Sequence, residues 1–192
     1  MTVLAHAHDV TRRLDTAGDL ILPTLARLLF AGVLLLYYWN SALTKVGDGI
    51  LGLVRPSLGA YAQVFPRQME AVGYDVSQLG LWHWAVVVAG TWAEFLLPAA
   101  LVIGLATRLA ALGMIGFVVV QSATDIVGHG LAAADIGAWF DRIPDSLLAD
   151  QRALWLFPLL VLVFRGGGPL SVDGLLAARW RATAMPDAGQ RL

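Results

Sequence analysis

Residues 21–40, ILPTLARLLFAGVLLLYYWN, form a twenty-residue run in which Arg27 carries the only formal charge. As a helix this run extends roughly 30 Å, the thickness of a bilayer's hydrocarbon core. A helix apolar on every side must be buried in a large core or in lipid. A chain of 192 residues, 58% hydrophobic and 14% charged with mean hydropathy +0.69, carries too little charge for an ordinary soluble domain. The fold class expected is therefore an all-α integral membrane protein.

Three further spans complete the reading: 81–105, 109–127 and 147–164. Ala106, Thr107 and Arg108 separate the second from the third, making them antiparallel neighbours. In the fourth, the apolar core ALWLFPLLVLVF covers only about 18 Å, so the span is extended back to Leu147, and Pro158 is expected to bend it. Asp19 offers a start for the first helix, with Pro23 just inside it. The organisation predicted is a cytoplasmic N-terminal lead-in over 1–20, a four-helix membrane domain over 21–165 and a cytoplasmic C-terminal tail over 166–192. The antiparallel four-transmembrane-helix bundle carries long extracytoplasmic loops, in which LGAYAQVF and ADIGAWFD suit short interfacial helices.

An even number of crossings puts both termini on one side, with Arg12, Arg13, Arg108, Arg165, Arg179, Arg181 and Arg191. The opposite side holds five basic residues, Lys45, Arg55, Arg67, Arg142 and Arg152. This bias favours cytoplasmic termini in the inner membrane. Tyr37, Tyr38, Trp39, Trp82, Trp84 and Trp155 then gather at the outer interface. A net charge of −1 offers no basic surface for nucleic acid, and the lack of cysteine removes disulfide, thiol and thiolate-cluster chemistry. The N-terminus has no signal peptide pattern.

Glu94, in TWAEFLLPAALVIG, is the polar group that most needs explaining, because an isolated carboxylate at that depth must be protonated, paired or beside a wet cavity. Arg27 is the partner expected for it, as a structural clamp or a proton-handling pair, with snorkelling of Arg27 alone as the alternative. Gln121, Asp125 and His129 are spaced four apart and share one helical face. With Asn40, Lys45 and His83 at the same level they suggest a polar pocket walled by Trp39, Trp82 and Trp84, suited to a quinone whose carbonyls take hydrogen bonds. Ordinary interfacial histidines and a helix-anchoring Asp125 are the competing readings. Asp125 and His129 lack a strong metal motif, so no metal is assigned. There is no GxSxG, HExxH or phosphate-loop pattern, and the glycines of FRGGGPLSVDGLL follow a membrane helix rather than a strand. They are expected to release the chain at the cytoplasmic surface.

Arg27 entering the first span, SALTKV at 41–46, WAEFLLPAALVIGLATRLAALG at 92–113 and GGGPLSVDGLL at 166–176 occur in an order that resembles the DoxX family of small membrane proteins. His129 beyond the third span fits as well. The resemblance covers about residues 21–176, with extended insertions after Lys45 and His129. That family is similar to the small membrane subunit of thiosulfate:quinone oxidoreductase. The resemblance implies a membrane subunit of a quinone-linked oxidoreductase system, passing thiosulfate electrons to quinone or answering oxidative stress. Glu94, Asp125 and His129 are the catalytic candidates; Gln121, Asp125, His129, His83, Trp39 and Asn40 are candidates for holding the quinone. No intrinsic cofactor is expected. The partners expected are the lipid bilayer, a quinone, a soluble or membrane redox protein, and a second copy of the chain. A non-catalytic assembly protein and a small-solute or lipid carrier are the alternative functions.

Overall fold

The computed structural model describes residues 2–184; Met1 of the lead-in and residues 185–192 of the tail, including Arg191, lie outside them. The described residues are helical with no strand. Four helices are long and apolar enough to cross a membrane: Ala7–Lys45, Leu81–Ile103, Thr107–Gly128 and Leu147–Arg165.

The first helix departs from expectation at both ends. It begins at Thr2 rather than Asp19 and runs through a π-helical turn, Ala31–Leu35, to Lys45. The polar lead-in is helical because its residues support one another locally. Asp9 and Arg13 pair across one turn at 3.6 Å, and the Thr11 and Thr16 hydroxyls donate to the carbonyls of Ala7 and Arg12. Pro23 therefore lies inside the helix, where its ring leaves the Asp19 carbonyl without an amide partner. The Asp19 side chain is ion-paired with Arg165 at the end of the fourth helix.

Phe30, Leu34, Tyr38 and Ala42 are buried at intervals of four. In a regular α-helix such a row drifts by about 40° per step, so it leaves the core within a few turns. The wider π turn takes up the excess and keeps the row facing its neighbours. Its last member is followed, three residues on, by buried Lys45.

Phe30, Leu34 and Tyr38 pack with Leu101, Met114, Val118, Leu159 and Leu162 in one core shared by all four helices. Ala110 and Ala111 allow close helix approach, which association in lipid requires. The outward faces are equally apolar: Leu28, Leu36, Leu96, Val119, Leu154 and Phe157 are all more than half exposed. A continuous apolar exterior of this kind matches acyl chains rather than water.

The second long helix ends at Ile103 because Gly104 turns left-handed at φ 73°, two residues before the expected limit. The third starts at Thr107 and finishes in a π turn, Thr124–Gly128. The fourth opens with a π turn, Leu147–Arg152, and continues through Pro158 to Arg165. Between the first two long helices lie Leu58–Val64, capped by the Ser57 hydroxyl, and Pro66–Ala71. The segment ADIGAWFD is helical only within Ala133–Ile136, since Gly137 leaves the helix at φ 68°. The Trp139 indole beyond it donates to the Ala149 carbonyl instead, at 2.7 Å.

Candidate functional site

Glu94 is 4% exposed, and its partner is Lys45 rather than Arg27. The Lys45 ammonium lies 3.1 and 3.0 Å from the two carboxylate oxygens and donates to the Ser41 hydroxyl at 2.7 Å. Ser41 in turn donates to Glu94 Oε1 at 3.2 Å. The expected pair fails because the first helix does not stop at Asn40. One further turn carries Lys45, the only lysine in the chain, onto the buried face.

Arg27 is committed elsewhere. Its guanidinium donates to four backbone carbonyls: Leu101 at 3.1 Å, Val102 at 2.6 Å, Gly167 at 3.1 Å and Leu170 at 2.7 Å. Leu101 and Val102 are in the last turn of their helix, where carbonyls lose the amide four residues on; the Leu101 carbonyl also takes the Gly104 amide at 3.2 Å. An always-charged planar fork of donors suits that task.

The third helix brings Gln121, Asp125 and His129 to one cavity of about 260 Å³, and Lys45 and Glu94 line the same space. Gln121 donates to the Tyr37 hydroxyl at 3.0 Å, while its Oε1 is buried with no hydrogen-bond partner. Asp125 is ion-paired with Arg152, whose guanidinium also donates to Ser122 at 2.7 Å. His129 Nε2 donates to the Gln63 carbonyl at 2.9 Å, tying the third helix to the insertion after Lys45. The apolar walls are Val86, Phe117 and Val120.

The other expected members stay outside this cavity. Trp39 hooks onto the second long helix, its indole donating to the Phe95 carbonyl at 3.2 Å. Asn40 is exposed and does not line the cavity. His83 stacks edge-on against Phe65 with ring centroids 4.8 Å apart. Trp82 is largely exposed, and Trp84 donates to the Val54 carbonyl at 2.9 Å. Tyr37, Ser41 and Arg152 are functional-site neighbours that the residue pattern does not single out. Lys45 carries a signal in retrospect: it is a unique lysine among twelve arginines, at i+4 from a serine.

Beside Pro23 and Arg27, midway along the first helix, the glycine-rich segment folds back rather than letting the chain go. Asp173 accepts from the amides of Ala106 and Thr107, each at 2.8 Å, and from the Thr107 hydroxyl at 2.7 Å. It thus caps the third long helix from a distant part of the chain and holds Ala106 in a left-handed conformation at φ 45°. Partial burial works to raise the Asp173 pKa, but the Thr107 and Ala106 donors and the Arg27 charge outweigh it and hold the carboxyl below its ordinary value. The Asp173 amide donates to the Gly104 carbonyl at 2.9 Å, and Ser171 accepts from the Gly174 amide. Side chains on Gly104 or Gly167 would collide with Ser171, and on Gly167 with Thr107 as well.

No protein-family model, curated protein or solved structure matches the chain.

Proposed function

We propose that the chain is a multi-pass protein of the cytoplasmic membrane, an antiparallel four-span bundle of DoxX type with both termini cytoplasmic, and that its cavity binds the head group of a quinone. The observation that carries this reading is Gln121, whose buried Oε1 is an acceptor with no donor and which borders a space that Lys45 and His129 also line. A buried acceptor left alone costs about 1–3 kcal/mol, which a ligand hydroxyl would recover. A quinol supplies such a hydroxyl, and the oxidised ring offers carbonyls to Lys45. Val86, Phe117 and Val120 suit the ring and the start of its tail.

Reduction of a quinone to a quinol takes two electrons and two protons. A partner oxidoreductase supplies the electrons, and the Lys45–Glu94 pair is suited to the protons. The Lys45 ammonium gives one proton to the reduced ring and is restored by a proton from water through Glu94, and a second such cycle supplies the other; arginine does not deprotonate. The Arg152–Asp125 pair positions the third helix. In this reading Gln121 and His129 orient the head group, and Glu94 exchanges protons.

Equilibrium dialysis of a short-chain benzoquinone against the detergent-purified protein tests the proposal. Gln121→Leu and His129→Gln are each expected to weaken retention about 3–10-fold, the worth of one hydrogen bond. Retention indistinguishable from empty detergent micelles, or unchanged in both variants, would rule the reading out.

A further inference from the structure

We propose a second binding site, for the phosphate of a lipid head group that carries net negative charge, in the cleft between the turn after the second long helix and the C-terminal helix Val172–Ala184. The inference rests on the membrane reading but not on the quinone. The cleft has a volume of about 620 Å³ and is bordered by Arg108, Arg165 and Arg181. Its one carboxylate, Asp173, is turned away into the amides of Ala106 and Thr107 and the Thr107 hydroxyl. Arg165 is paired with Asp19; among the described residues, Arg108 and Arg181 have no carboxylate partner.

Two unpartnered guanidiniums beside a cleft fit a phosphate, whose oxygens match their paired donors. The Asp173 contacts fix the backbone from which both extend. Arg108 sits one residue past Thr107, which Asp173 fixes, and Arg181 lies on the helix that Asp173 begins.

The apolar part of the cleft distinguishes a lipid from a free anion. Leu109 and Leu175 border it while remaining 72% and 63% exposed, and Leu170 and Trp180 are exposed nearby. Leu175, Ala178 and Arg181 recur every third residue, so one helix face presents apolar side chains and a cation together. Such a face suits the boundary where head groups meet acyl chains.

Native mass spectrometry of the detergent-purified full chain, loaded with equal amounts of phosphatidylglycerol and phosphatidylcholine of identical acyl composition, provides the test. The wild type is expected to retain phosphatidylglycerol at least fivefold over phosphatidylcholine. The preference should vanish in R108Q/R181Q and persist in R12Q/R13Q, which removes the same charge from the exposed N-terminal helix. Equal retention of both lipids, or a preference that survives R108Q/R181Q, overturns the site. In a parallel arm, thermal unfolding is followed in inorganic phosphate and in chloride at matched ionic strength. A phosphate-specific rise in midpoint, absent from R108Q/R181Q, supports the same anion chemistry with a free phosphate as its source; a chain that stays in solution without detergent sinks the membrane reading separately.

Discussion

Glu94 illustrates how a single residue's company decides what it does. A carboxylate 4% exposed needs a cation, and Lys45 reaches it with both oxygens engaged. Removing one partner of such a pair is far worse than removing both, because the survivor keeps its desolvation cost. Lys45→Met is therefore expected to destabilise the protein by about 3–5 kcal/mol, and Lys45→Met with Glu94→Leu by considerably less. Unfolding in mixed detergent micelles reads both. Equal losses in the single and double variants would show that Glu94 has another source of charge compensation. Arg152→Met should behave similarly at Asp125, with a smaller loss because that carboxylate is about a quarter exposed.

Among the elements, the segment from Gly166 to Asp173 behaves as a clasp on the second and third long helices. Asp173→Asn keeps the side chain's shape but weakens a three-donor acceptor, and a lost helix cap costs about 1 kcal/mol. The pH dependence has a definite sign. The folded carboxyl titrates below its unfolded value, so its stabilisation is fully present above about pH 4 and fades as the pH falls through the folded value. The wild type should lose stability on acidification below about pH 4, and Asp173→Asn should lose less; parallel pH–stability curves would contradict this assignment. Gly104→Ala is expected to cost more than the cap, since it combines a left-handed φ of 73° with a clash against Ser171 and the Arg27 guanidinium. A midpoint within a degree of wild type would mean that the turn can open without loss.

For the whole molecule, the four long helices and a short turn between the second and third were readable, because apolar length is a local property; the turn itself lies at Gly104–Ala106, with Thr107 and Arg108 already helical rather than in the link. The cavity's Gln121, Asp125 and His129 were readable from their spacing on one face. The Lys45–Glu94 pair was not: where the apolar count stops at Asn40, nothing local says that SALTK continues the helix. Nor does periodicity reveal that Arg27 serves carbonyls from two distant segments, or that Asp173 caps a helix begun 66 residues earlier. Orientation is open to a direct measurement, since the natural chain has no cysteine to interfere. Single cysteines placed at Val54 and at Thr183 should label from opposite sides of intact cells, Val54 from outside. Labelling of both from the same side would remove the four-span topology. The first helix adds a mechanical corollary. From Thr2 to Lys45 it is one unbroken rod, its exposed N-terminal stretch at one end and the Glu94 salt link at the other. Turning that rod by one residue's worth, about 100°, would swing Lys45 off its carboxylate and Phe30, Leu34 and Tyr38 out of the core at once, so torque applied around Asp9 and Arg13 meets the whole packed face and not the salt link alone.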